Sequence, residues 1–174
     1  MQAEKFTLGF YFYSLTRILG QPRKFFSELP KNMGLKQPLG FLTVSSLFFA
    51  GPDLINTMPP KPVIWGGVFF VNAVGMTFIS AGLGYIVMVM VMGKHVRFTQ
   101  FFMVYALSSG VTLLVSWMPF FIWLTEPWKW WLIGTGMIHS LGMKCSHSLI
   151  IIGISVIMMV LFFYSVMPLI LHKP

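Results

Sequence analysis

Long apolar runs that carry no charged residue constrain the fold of this chain more than any other feature. A helix rises about 1.5 Å per residue and the hydrocarbon core of a bilayer is about 30 Å thick, so a helical span needs about 20 apolar residues. Charged residues make up 9% of the chain, against about 25% in soluble domains. The sequence therefore predicts an all-α polytopic membrane protein with five transmembrane helices. The five intervals lie at about 37–55, 62–92, 99–121, 128–144 and 147–171.

Two of the five intervals depend on the residues at their ends. The first spans the bilayer if Asp53 lies at the outer interface, beyond the bend expected at Gly51-Pro52. The fourth is short and spans if Lys129 and Lys144 snorkel to the headgroups. A re-entrant segment is the alternative for the fourth. The other three intervals are long enough without such help.

The distribution of basic residues predicts the orientation of the chain in the membrane. If the N-terminus lies inside, five spans leave nine Lys and Arg residues in the inner loops and three in the outer loops. An excess of basic residues marks the cytoplasmic side of a membrane protein. We therefore expect the N-terminus in the cytoplasm and the C-terminus outside.

The segment before the first span is rich in aromatic residues. The whole chain, 1–174, is predicted to be a single domain in which residues 1–36 form a cytoplasmic or interfacial segment. Phe25, Phe26 and Leu29 fall on one side of a short helix, with charged residues available to face water. This pattern is typical of an amphipathic helix that lies in the membrane interface. Packing of the same aromatic residues under the bundle is an alternative that is compatible with it.

The net charge of +8 does not indicate nucleic-acid binding. The basic residues stand singly or in pairs between apolar runs, and the sequence has no groove-reading motif. It also has no metalloprotease, serine-hydrolase or nucleotide-binding motif and no paired acids within one span. We expect no enzyme activity, no cofactor and no nucleic-acid partner, and we expect membrane lipids to surround the protein.

The second span carries small residues at helical spacing, which let helix backbones approach closely. Packing within the bundle is the favoured interpretation, and formation of a homo-oligomer is the alternative. Asn72 precedes this stripe inside apolar sequence, where its amide should bond to another helix or to a substrate. The helix-packing residues are Ala73, Thr77 and Ala81, with Ser80 and Gly84 beside them.

Polar residues in and near the spans indicate an alternative function, a small transporter or channel for an ion, a metal or a lipid. An acid within a membrane span is by default a functional candidate, which singles out Asp53, although a solvated loop acid or a partner for the helix end is the favoured interpretation. Asn72 and His139 complete this polar set. Four potential metal ligands also gather at the inner face in the predicted topology, although ordinary interfacial histidines are the favoured interpretation. These four are His95, His139, Cys145 and His147.

The order of features along the chain resembles a known family. A Pro-containing amphipathic stretch, QPRKFF at 21–26, precedes the first span, and a short basic turn, GKHVRFTQFF at 93–102, joins the second and third spans. Val104-Tyr105-Ala106, Pro119 and a tryptophan-bearing fourth span that ends in GMIHSL at 136–141 follow. This layout is similar to that of the Yip (Ypt-interacting protein) family of five-span membrane proteins, and it covers nearly the whole chain.

The resemblance implies a non-enzymatic membrane protein that acts by oligomerisation, by partner binding or through an effect on lipids. The segment before the first span is shorter than in eukaryotic members, which suggests a bacterial relative in the cytoplasmic (inner) membrane and argues against binding of a Rab-type GTPase. A Golgi or ER membrane is the alternative location. The chain departs from the family where a proline is common, at Ser108, Ser109 and Gly110. Recurring family positions, most simply structural, are matched at Gly93, Phe98, Tyr105 and His139.

Overall fold

A computed structural model describes residues 6–30, 33–93, 96–116, 118 and 121–171, apart from the side chains of residues 53, 56, 122, 163 and 166–171. All regular structure within these residues is helical, which confirms the predicted all-α fold class. The helices are α1 (Leu8–Gly20), α2 (Pro22–Glu28), α3 (Lys36–Thr57), α4 (Pro62–Met92), α5 (Phe98–Ser116), α6 (Ile122–His139) and α7 (Cys145–Leu171).

Three helical stretches are long and apolar enough to cross a membrane, judged by length and composition. They are Pro62–Met92, Phe98–Ser116 and Cys145–Phe162, the last being the first part of α7. They correspond to the three predicted intervals that are long enough to span the bilayer without snorkelling or interfacial residues at their ends. The described part of the chain therefore fits an integral membrane protein, and the count of five spans stays a prediction.

Proline and glycine set the two ends of α4. Pro62 occupies the first turn of the helix, where its missing N–H leaves no hydrogen bond unmade. Gly93 follows the last turn with φ 57°, and its N–H donates to the carbonyl of Val89. A left-handed residue at this position favours glycine because it has no Cβ to clash with the backbone.

α6 begins and ends earlier in the chain than the predicted interval 128–144. Pro127 lies inside the helix, near its N-terminal end, where the absent N–H removes a single backbone hydrogen bond. Lys129 does not stand as a free charge, because its Nζ lies 2.6 Å from Oε1 of Glu126. Residues 140–144 form the turn to α7, and Gly142 in that turn has φ 66°.

α5 is the central helix of the bundle. It packs against α3, α4 and α6, and the twelve consecutive residues from Phe101 to Thr112 are all buried. An apolar helix that is buried on every side must have neighbours around its whole circumference. Glycine permits one of the closest approaches, since a Cβ on Gly110 would lie 2.7 Å from ring carbons of Phe41 in α3.

The two N-terminal helices pack onto the bundle. Phe26 of α2 is buried and lies against Gly136 of α6. In α1, the ring centroid of Tyr11 lies 4.8 Å from that of Phe41, and its hydroxyl shares a hydrogen bond of 3.2 Å with that of Ser45. Packing under the bundle, one of the two compatible interpretations of this segment, is thus how the structure uses these aromatic residues.

The opposite face of α1 is apolar and exposed. An ion pair of 3.8 Å between Arg17 and Glu28 links α1 to α2. α1 therefore presents one apolar face to the bundle and a second apolar face away from it. The exposed residues of the second face are Leu8, Phe12, Tyr13 and Leu19.

Candidate functional site

The two turns that join α4 to α5 and α6 to α7 meet at one end of the bundle, which we call the turn end. They line a shallow cavity of about 200 Å³, the turn cavity. The first turn contributes Val96, and the start of α5 contributes Gln100. The second turn contributes the residues after α6. The lining residues are Val96, Gln100, His139, Ser140, Leu141 and Gly142.

Tyr85 near the end of α4 holds the first of these turns in place. Its hydroxyl donates a hydrogen bond of 2.9 Å to the carbonyl of Val96. Its ring meets those of Phe98 and Phe101 edge-on, with centroids 5.3 and 5.7 Å away. Sequence reasoning missed this residue. The signal was present, because a tyrosine near the end of an apolar span buries its ring and needs a partner for its hydroxyl.

The change Tyr85→Phe should destabilise the turn end while leaving the ring contacts in place. Losing the bond to the Val96 carbonyl should cost about 1 kcal/mol, a typical net value for one hydrogen bond. Hydrogen exchange of the amides at residues 96–100 in detergent micelles measures this. Tyr164→Phe is the matched control, since Tyr164 is 80% exposed; equal exchange in the two variants would contradict the anchoring role of Tyr85.

His139 is one of the residues that line the turn cavity. Its Nδ1 lies 2.9 Å from the carbonyl of Thr135, and because a carbonyl only accepts, the proton on Nδ1 donates this bond. The neutral ring then has an unprotonated Nε2 that can accept a hydrogen bond. Because Ser140 and Gln100 also line the cavity, it offers polar residues that suit a small polar or charged headgroup.

The predicted metal set is not assembled by the residues that the structure describes. Cys145 is exposed, and Nδ1 of His147 is buried without a hydrogen-bond partner in that part of the chain. No group of three or more His, Cys, Asp or Glu residues suited to hold a metal ion occurs among the described residues. His95 lies outside them, so the four-residue set stays a prediction.

The structure does not bring the polar transport candidates together. The backbone of Asp53 is helical within α3, and its side chain lies outside the described part. Asn72 is exposed on α4, twenty residues or about 30 Å along the helix from Met92 at the turn end. His139 lies at the turn end itself, so Asn72 and His139 cannot form one site.

The small-residue stripe of α4 faces the interior of the bundle. Ala73, Thr77, Ala81 and Gly84 are all buried, and the Thr77 hydroxyl donates to the Ala73 carbonyl of its own helix at 3.1 Å. The Tyr105 ring lies against Gly84, leaving no room for a Cβ there. Ser80 is half-buried and donates to the Met76 carbonyl at 2.7 Å. These residues are therefore in contact with their own chain.

A comparison with known protein families covers nearly all of the helices and turns described above. The family model of the Yip1 domain matches residues 16–167, a segment that begins within α1, ends within α7 and includes the whole turn end. Comparisons with curated proteins and with solved structures gave no match. Since the matched segment covers far more than half of the 174 residues, the chain belongs to the Yip1 domain family, as its resemblance to Yip proteins predicted.

Proposed function

We propose that this chain is a non-enzymatic integral membrane protein of the Yip type that organises anionic lipid around its turn end. The charge distribution of the bundle is the observation that carries the proposal. Exposed basic side chains are concentrated at the turn end. The acid of α2, Glu28, is paired there with Arg17. The exposed basic residues there are Arg23, Lys24, Lys36, Arg97 and Lys144.

Among the residues that the structure describes, the opposite end of the bundle has less free positive charge. Lys61 is exposed there, while Lys129 is paired with Glu126. The cytoplasmic leaflet carries anionic lipid that attracts basic residues next to a membrane span, at about 1 kcal/mol for each Lys or Arg near the surface. The asymmetry therefore supports a turn end, and with it an N-terminus, on the cytoplasmic side.

The lengths of the helices support five crossings. α3 has 22 residues and α6 has 18, which correspond to about 33 and 27 Å, close to the thickness of the hydrocarbon core. Both pack directly on α5, which is itself apolar enough to span. Five crossings would leave the C-terminus outside.

The packing within the bundle supports an organising role more than a transport role. Several buried hydroxyls in the spans bond back to carbonyls of their own helix, as Thr77 does to Ala73 and Ser155 does to Ile151. Hydroxyls bonded in this way have their donor satisfied within their own helix. Around them the interior is filled by stacked rings, such as Phe101 and Tyr105 with centroids 5.0 Å apart.

Spin-labelled lipids test the proposal directly. We would reconstitute the full chain into vesicles of phosphatidylcholine and phosphatidylglycerol and measure which labelled lipid is immobilised by the protein. We expect a preference for phosphatidylglycerol that weakens at high salt, because salt screens exposed charges. Equal immobilisation of the two lipids would overturn the proposal.

The double change Arg23→Gln and Lys24→Gln should reduce this lipid preference. Each charge removed near an anionic surface should lower the association constant roughly fivefold. Lys61→Gln at the opposite end is the control and should change the preference less than Arg23→Gln alone, which removes the same number of charges. An identical loss in the control would show that net charge, and not its position at the turn end, determines the preference.

A further inference from the structure

We infer that α4 carries a self-association face on which Asn72 pairs with the same residue of a second copy of the chain. The inference is independent of the proposed effect on lipids. It requires that α4 spans the membrane, which its length and hydropathy support. The face lies on the side of α4 away from the buried small-residue stripe.

Asn72 is the observation that motivates the inference. Its side chain is exposed, and it forms no side-chain hydrogen bond with any residue that the structure describes. The neighbouring exposed residues are apolar, with Val71 66%, Val68 49% and Ile79 39% exposed. An amide that faces hydrocarbon without a partner is costly, by about 2 kcal/mol or more.

The depth of Asn72 prevents escape to water. α4 has 31 residues, about 46 Å, so it overhangs a core of about 30 Å. Asn72 lies ten residues, or about 15 Å, from Pro62 at the end of the helix. With the overhang shared between both ends, Asn72 falls inside the hydrocarbon, and its short side chain cannot snorkel as Lys or Arg does.

The residues around Asn72 form a regular seam. They repeat at alternating intervals of four and three residues, the spacing that keeps two helices in contact along their length. Two of them are glycines, and a Cβ added to Gly75 or Gly82 would meet nothing within 4 Å. These glycines thus leave open space where another backbone can approach. The association face consists of Val68, Asn72, Gly75, Ile79, Gly82 and Ile86.

A second copy of the chain is the occupant that fits this face best. A two-fold axis along the membrane normal brings identical positions of two α4 helices together. The Asn72 amide both donates and accepts, so two such amides satisfy each other. Lipid tails offer neither donor nor acceptor. The glycines of both copies would then face each other beside the amide pair.

Disulfide cross-linking in native membranes tests the face by position. In a Cys145→Ser background, Ile79→Cys places a thiol in the centre of the seam. Ile157→Cys is the control, on an exposed position of α7 that is 60% exposed. We expect mild oxidation to give a covalent dimer with Ile79→Cys and little with the control. Cross-linking to a different protein, or equal dimer from both positions, would overturn the inference.

Energy transfer between labelled copies in detergent micelles measures association, and it tests the role of the Asn72 amide and of the glycines. Asn72→Leu and Gly75→Leu should each lower the association constant roughly tenfold. Gly153→Leu on α7 is the matched control, since Gly153 also has open space around its Cβ position, and it should leave association unchanged. Unchanged association in Asn72→Leu would sink the pairing. The lipid preference of Asn72→Leu should stay intact, so failure here is separable from failure of the lipid proposal.

Discussion

Replacing Phe26 by alanine should lower the free energy of unfolding by about 3 kcal/mol and detach the N-terminal helices from the bundle. Phe26 is 0% exposed and fills the space over Gly136 of α6. Its ring also meets that of Phe25, with centroids 5.6 Å apart. Much of the cost comes from the cavity and lost van der Waals contacts, because in a membrane protein the alternative environment is itself partly apolar.

Two measurements check this expectation. Unfolding in sodium dodecyl sulfate, followed by tryptophan fluorescence, should occur at a lower detergent fraction, and trypsin should cut faster after Arg23 and Lys24. Phe12→Ala is the control, because Phe12 is 61% exposed on the face of α1 that is directed away from the bundle. If both variants unfold at the same point, the N-terminal helices do not depend on the Phe26 contact.

The sequence predicted the helical class and the family because the signals for both are local. α4 begins at Pro62 and is capped by Gly93, residues that mark helix ends through their own backbone chemistry. The turn that follows α4 carried part of the family resemblance, and the Yip1 domain match confirmed it. Such features can be recognised without knowing what any helix packs against.

The faces of the membrane helices could not be predicted in the same way. α4 is apolar around its whole circumference, so hydrophobic periodicity does not separate its lipid-facing side from its core side. The small residues did indicate close packing, and Ala73 and Ala81 are indeed buried. Asn72 lies one position earlier yet points outward, because successive helical residues are turned by about 100°.

The candidate site was only partly visible for a related reason. His139 was singled out from the sequence, but two of its neighbours in the turn cavity come from the turn before α5 and from the start of α5, some forty residues earlier in the chain. Gln100 and Val96 reach it because α5 and α6 pack against each other. A contact of this kind depends on the arrangement of whole helices, which no local pattern encodes. The sequence did indicate that the Tyr85 hydroxyl needs a partner, but not that this partner is the carbonyl of Val96.

Gly110→Val is expected to destabilise the bundle where α3 and α5 pack closely together. The added Cβ would lie 2.7 Å from ring carbons of Phe41 and 3.3 Å from Oγ of Ser45. Phe41 is 0% exposed and its ring also packs against that of Tyr11, so the ring has little free space into which to move. Overpacking of a tight core costs about 1–3 kcal/mol, and the rigid surroundings place this change at the upper end.

The same unfolding titration measures this effect, with Gly153→Val as the matched control. Both changes add the same β-branched side chain to a membrane helix, so their intrinsic helix preferences cancel. Gly153 has nothing within 4 Å of its Cβ position, so its valine should be tolerated. A further test follows from the contact: Phe41→Leu should recover part of the stability lost in Gly110→Val, since the smaller side chain leaves room for the new methyl groups. If Gly110→Val and Gly153→Val prove equally stable, α3 and α5 are not packed as closely as the structure shows.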